Sequence, residues 1–238
     1  MGVRRRIKRL VRTTLHRLGC DIVRYLPRPQ WLAEEDRFEY QKQFIKFDIA
    51  PGCVVLDVGS GHYPFPFATI LADLSLGDTP HRARRLIRDN RPFLVMDVTW
   101  MPFRDKSIDF VYCSHVLEHV DNPMQACSEL MRVGRRGYIE TPNYAKDILF
   151  AWANYTKHKW HVVAINKTLF FLEYTEKQRK GINSSAWDRL IHGDAYHPIQ
   201  EAYFNNQDLF NVMFLWDDRF ECVVRPLEKK AQHLEQKV

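Results

Sequence analysis

The chain has no apolar run approaching the roughly 18 residues that a membrane-spanning helix needs, and its first residues lack the apolar core and small-residue cleavage site of a secretory leader. Its five cysteines, Cys20, Cys53, Cys113, Cys127 and Cys222, are odd in number and scattered, with no C-x-x-C pair. That excludes a zinc ribbon or a disulfide framework and points to reduced thiols, several of them buried, in a cytoplasmic protein. Internal repeats and low-complexity tracts are also missing. What remains, 238 residues with 45% hydrophobic and 27% charged content, is enough for one full-sized domain plus an appendage.

The charge is unevenly placed. Residues 1–30 hold nine Lys or Arg against the single acid Asp21, a sum of +8, so the other 208 residues of this +6 chain sum to −2. In this arm Val3, Ile7, Leu10, Val11, Leu15 and Leu18 recur at helical steps, Gly19 can stop the helix, and Pro27 and Pro29 close the segment. A basic amphipathic helix suits an anionic membrane surface. The same pattern fits a helix docked on the domain by its apolar stripe. Nucleic acid is disfavoured, because no aromatic residues interleave the arginines. The expected organisation is an arm over 1–30, a domain over 31–228 with a substrate lid over about 144–208, and a charged tail over 229–238.

Beyond residue 35 the pattern alternates strand and crossover. Short apolar runs at Cys53–Val58, Ala68–Leu74, Phe93–Val98, Ile108–Ser114 and Gly137–Thr141 read as parallel strands buried on both faces. Between the last two, Asn122–Arg132 is predicted as a helix burying Met124, Cys127, Leu130 and Met131. NVMFLW and FECVVRP flank Asp217-Asp218-Arg219 and read as an antiparallel hairpin. The fold class expected is α/β, a doubly wound and mostly parallel sheet, whose ligand lies beyond the carboxyl ends of the strands.

The stretch VVLDVGSGHYPFPFATILADLS, Val54–Ser75, begins as a dinucleotide site does, with a strand entering Asp57-Val58-Gly59-Ser60-Gly61. The third glycine of G-x-G-x-x-G is missing, and Pro64 and Pro66 fall where a helix should start. A helix N-terminus is what holds a pyrophosphate; the six residues HYPFPF cannot supply one. The glycine turn still allows close approach to the backbone, so the ligand expected is a nucleoside without a diphosphate. S-adenosylmethionine meets that description. Asp57 can then lie near its ammonium, Asp73 can accept from both ribose hydroxyls, and Asp97 can accept from the adenine amine.

At DVGSG, LADLS and DVTWMPFRDKSIDFVYCSHVLEHVDNP the chain resembles class I S-adenosylmethionine-dependent methyltransferases of the methyltransferase type 11 group. The resemblance covers about residues 50–143. It implies a Rossmann-like sheet of seven strands ending in an antiparallel hairpin, and cofactor-binding roles for Asp57, Gly59, Gly61, Asp73, Asp97, Ser114 and His115. The shortened HYPFPF crossover departs from the family, which usually has a helix there.

His115-Val116-Leu117-Glu118-His119 also spells H-x-x-E-H, an inverted zinc-peptidase pattern. It starts at the mouth of a strand and is soon interrupted by Asp121-Asn122-Pro123, so no metal is expected there. In the methyltransferase reading Glu118 and His119 order the turn. If the methyl acceptor is a hydroxyl, a base must take its proton. The segment after the fifth strand holds His158, Trp160 and His161 beside aromatic residues; His161 is the first candidate and His115 the second, while His192 and His197 have no spacing that singles them out. The arm loosely resembles leaders of enzymes in bacterial surface-polysaccharide pathways. That suggests O-methylation of a small molecule or glycan, at the cytoplasmic face of a membrane. The alternative is an inactive scaffold or sensor that binds a membrane or protein partner through its arm.

Overall fold

The computed structural model describes residues 10–11, 13–15, 17–18, 37–79, 84–149, 158–180, 190–191 and 193–227. Six strands form the main sheet: β1 (Val55–Val58), β2 (Ile70–Asp73), β3 (Phe93–Val95), β4 (Ile108–Ser114), β5 (Gly134–Pro142) and β8 (Asn211–Asp217). Their order is β3-β2-β1-β4-β5-β8. The first five pair in parallel and β8 runs antiparallel to β5. The doubly wound, mostly parallel sheet read from the sequence is the sheet observed.

The pleat sends alternate residues of each strand to opposite faces. Leu56, Val58, Val111, Cys113 and Ile139 join one core, against helix α2 (Pro123–Val133). Val55, Leu71, Phe110, Tyr112 and Tyr138 join the other, against Phe38 of α1 (Arg37–Phe44) and against Phe47 and Phe65. Burial on both faces explains why these strands read as continuous apolar runs. Helix α2 starts where Asn122 accepts the Gln125 N–H at 3.1 Å, with Pro123 in its first turn. Its buried side is Ala126, Cys127, Leu130 and Val133, while Met124, expected inside, is exposed.

A short crossover, residues 59–69, joins β1 to β2 without a helix. Phe65 fills the helix's place. It is fully buried and stacks on Tyr112 with ring centroids 4.0 Å apart and planes within 5°, and Phe38 and Phe47 close around it.

The expected C-terminal hairpin is not formed. After β8, Asp218 turns the chain with φ 54°, and β9 (Glu221–Arg225) leaves the main sheet. It pairs in parallel with β7 (Thr168–Glu173), which in turn pairs with β6 (Trp160–Ile165). The seventh strand of the expected sheet thus belongs to a second, three-stranded sheet. Trp160, Val162, Leu169 and Phe171 of that sheet are buried in the main core, so this part of the expected lid is built into the domain. The other described elements within 144–208 are α3 (Tyr144–Leu149), α4 (Glu176–Lys180) and α5 (Pro198–Phe204). Residues 150–157, 181–189 and His192 lie outside the described residues, as do the charged tail and Val3, Ile7 and Gly19 of the arm. The described arm residues from Leu10 to Arg17 are helical, with Leu10 72% and Leu18 71% exposed and Leu15 half-buried. No helix among the described residues is long and apolar enough to cross a membrane.

Candidate functional site

A cavity of about 580 Å³ opens at the carboxyl ends of β1 to β4, within the ordinary range for small-ligand sites. It straddles the point where the strand order reverses, between β1 and its two neighbours β2 and β4.

The floor is the glycine turn. The Gly59 and Ser60 N–H groups both donate to the Ala72 carbonyl, at 2.8 and 2.9 Å, and this ties the turn to β2. Gly59 has φ +74°, and a Cβ there would lie 2.3 Å from Val116 Cγ2. Only glycine allows both the left-handed backbone and this close approach. Asp73 braces the same turn: its Oδ2 accepts the Gly61 N–H at 3.0 Å and its Oδ1 the Ser75 N–H at 3.2 Å.

Gly59, Gly61, Asp73, Asp97, Ser114 and His115 all line the cavity. Asp97 Oδ1 accepts from both the Thr99 N–H and the Thr99 hydroxyl, each at 2.7 Å. Asp57 is the exception among the expected binding residues. It stands behind the wall, 1% exposed, and its Oδ2 accepts the Phe65 N–H at 2.7 Å. Burial pushes its pKa up to about 7, against the lowering effect of that hydrogen bond and of Arg37 and Arg91. Its role is therefore to hold the shortened crossover. The charge facing the cavity here is Arg37, at the start of α1, a residue outside any sequence motif.

Two buried hydroxyls on the lining, Ser60 Oγ and Ser114 Oγ, have no hydrogen-bond partner among the described residues. Ser114 also lies beside the Tyr112 hydroxyl. Two acids at strand ends, a cationic guanidinium and a glycine floor fit an adenosine that carries an amino-acid end.

At the β4 end the turn 115–120 is not helical, so His115 and His119 do not share a helix face as the H-x-x-E-H pattern would require. His115 takes a left-handed backbone, φ 57°. Its Nε2 lies 3.1 Å from Glu140 Oε1, and its Nδ1 lies 3.4 Å from Glu118 Oε1. Both carboxylates are fully buried. Burial alone would raise the pKa of Glu140, but His115, Arg37 and Tyr138 hold it down to about 2. Tyr40 and Tyr138 hydroxyls and the Gln41 amide also donate to it. Burial opposes ionisation of Glu118 as well, yet His115, His119 and His158 keep it below the usual carboxylate range. His119 and Lys159 line the cavity beside His115, and Lys159 pairs with Asp121.

His161, the first candidate base, does not line the described cavity. It packs against Tyr144 and Tyr174, with centroids 4.9 and 6.1 Å away, and burial lowers its pKa. His158 is 3% exposed; its Nδ1 lies 2.8 Å from Asp147 Oδ1, and the Tyr174 hydroxyl donates to Asp147 Oδ2 at 2.9 Å. His197 caps α5 through its Nδ1. Sequence reading missed Arg37 and Glu140, which belong to no local pattern, and the meeting of His158 with Glu118, which are forty positions apart.

Residues 56–139 match the model of the family described as methyltransferase domain. An uncharacterized methyltransferase of Mycobacterium avium is 36% identical over 104 residues, 40% of each chain. A demethylmenaquinone methyltransferase of Renibacterium salmoninarum is 37% identical over 94 residues, 37% of this chain and 39% of that one. The matches thus span about two-fifths of these curated relatives' own length. Among solved structures, a SAM-dependent methyltransferase from Archaeoglobus fulgidus is 22% identical over 44% of this chain and 51% of that one, with a TM-score of 0.35.

Proposed function

We propose, from the match of residues 56–139 to the methyltransferase-domain family, that the whole chain transfers a methyl group from S-adenosylmethionine to a hydroxyl of a small molecule or glycan. The observation that carries the reading is the presence of Asp73 and Asp97 on one cavity, over the glycine turn of Gly59 and Gly61. Asp73 faces the ribose, Asp97 the adenine amine, and Ser60, Ser114 and Arg37 the amino-acid end. When bound, the cofactor supplies an electrophilic methyl on a sulfonium. The chain's own work is then positioning, which can account for much of the rate of a displacement.

Of the two candidate bases His115 is the one on the cavity. Glu140 orients its ring through Nε2, and Nδ1, 3.4 Å from Glu118 Oε1, is the nitrogen that would have to reach the acceptor's proton. The match to the demethylmenaquinone methyltransferase covers only 37% of this chain and 39% of that one, so it does not choose the acceptor. A glycan or lipid-linked acceptor at an anionic membrane face is suggested by the basic arm over 1–30 and by the exposure of Leu10 and Leu18.

The test is calorimetric titration with S-adenosylhomocysteine. Asp73→Ala and Asp97→Ala should each weaken binding by about 1–3 kcal/mol, the worth of a hydrogen bond to a charged group. A folded wild-type protein that does not bind at all would remove the enzyme reading. It would leave the scaffold alternative, in which the arm is the functional part.

A further inference from the structure

Glu118 is fully buried, and neither of its carboxylate oxygens has a hydrogen-bond partner among the described residues. Yet three imidazoles converge on one of them. His115 Nδ1, His119 Nε2 and His158 Nε2 lie 3.4, 3.8 and 4.0 Å from Oε1. A hydrogen bond would draw such groups to roughly 2.7–3.2 Å. His158 itself shows the contrast, since its other nitrogen approaches Asp147 to 2.8 Å. The ring has closed on one carboxylate and stands off from the other.

We infer that Glu118, His119 and His158 form a binding site for a divalent transition-metal ion, zinc by its donor set. One carboxylate oxygen and two imidazole nitrogens, all within 4.8 Å of one another, are a donor set that zinc uses in sites that keep an open fourth position. Ligand atoms about 2.0–2.1 Å from zinc at tetrahedral angles stand roughly 3.3 Å apart, so the 3.8 and 4.0 Å from Glu118 to the two histidines close with a shift of about half an ångström each. Asp147 supplies the outer support. By accepting His158 Nδ1–H it directs the Nε2 lone pair at Glu118, and Tyr174 in turn holds Asp147. Metal-ligating histidines generally have such a carboxylate behind them.

The ion would fasten the turn after β4 to the residues just before β6. Backbone bonds already begin that join: the Lys159 N–H donates to the Glu118 carbonyl at 2.8 Å, and Trp160 Nε1 to the Val120 carbonyl at 2.7 Å. Of the three, His119 is the residue on the cavity lining. The site stands on its own geometry and holds whether or not the cofactor reading does.

The rival arrangement is a shared proton. Burial disfavours charge on His158, but Asp147 and Glu118 hold its pKa above the ordinary value, and an imidazolium could bridge the two acids. To separate the two, the full untagged chain is incubated with Zn²⁺ or Co²⁺, desalted and assayed for metal by plasma mass spectrometry. The inference expects about one ion per chain and visible cobalt bands of a four-coordinate nitrogen and oxygen site. Glu118→Gln and His158→Gln should lose both while keeping the wild-type circular dichroism. Wild-type protein that desalts free of metal would overturn it, as would Glu118→Gln that holds as much as wild type. If the variants do not fold, the wild-type cobalt spectrum decides: weak six-coordinate bands like those of the aqua ion count against the site.

Discussion

Replacing Phe65 by Ala tests whether one side chain has taken over the work of a helix. Phe65 is fully buried between β1 and β2, where the chain crosses over without helical structure. An aromatic of this size buries about 150–250 Å², worth roughly 4–6 kcal/mol at about 25 cal/mol per Å² as an upper bound. Measured Phe→Ala losses in cores are about 3–5 kcal/mol, and that is the range expected here. For a chain of this length each kcal/mol lowers the melting temperature by about 2–4 °C, so Phe65→Ala should melt about 6–20 °C lower. Phe67, two positions on and 48% exposed, is the internal control and should cost less than about 1 kcal/mol. Urea unfolding gives both values from the shift in midpoint at constant slope. Because Phe65 stacks on Tyr112, a cycle with Tyr112→Leu should show a coupling of about 0.5–1.5 kcal/mol. Equal losses for Phe65→Ala and Phe67→Ala would refute the reasoning and make HYPFPF an ordinary surface loop.

Two further expectations concern the same region. Gly59→Ala should lose about 2–5 kcal/mol in urea unfolding, about 1–2 from the left-handed backbone and about 1–3 from the contact with Val116; a loss under about 1 kcal/mol would show that Val116 moves aside freely. Asp57 has its pKa raised from 3.8 to about 7 in the folded protein, so the folded state binds the extra proton, and the stability gained from it is complete below about pH 4 and lost as pH rises through about 7. Asp57→Asn cannot titrate, so its stability relative to wild type should climb by up to about 4 kcal/mol between pH 4 and pH 8, at roughly 1.36 kcal/mol per unit; a level or falling difference counts against the buried carboxylate.

The cofactor end of the site was legible because it is built from local patterns. An apolar strand, a tight turn and an acid recur in Asp57-Gly59-Gly61, Asp73 and Asp97, and four of these five residues line the cavity. Even so, the pattern could not say which acid faces inward. The fate of Asp57 is set by Phe65, whose N–H it accepts, and that meeting follows from the short crossover. Helix α2 was legible for a similar reason, since Asn122-Pro123 is a local start signal. Exposure of Met124 was not, because the stripe it belongs to is bounded by which neighbours arrive. The C-terminus misled. NVMFLW and FECVV on either side of three polar residues look like a hairpin, but Asp218 turns the chain toward β7, 45 or more positions earlier. The grouping of Glu118 with His158, and of Glu140 with Tyr40 and Gln41, depends on tertiary structure and leaves no periodic trace.

The parallel pairing of β7 with β9 also dictates an order of assembly during synthesis. The strands β1 to β5 are all present once residue 142 has emerged, and they can pair with one another as they appear. The β6–β7 pair emerges next, but its neighbour on one side is synthesised some fifty residues later. Until then β7 presents an unpaired backbone edge bearing Leu169 and Phe171, open to pairing with other nascent chains. A ribosome that stalls before residue 221 would therefore leave a protein with most of its ligand cavity formed and an adhesive flank.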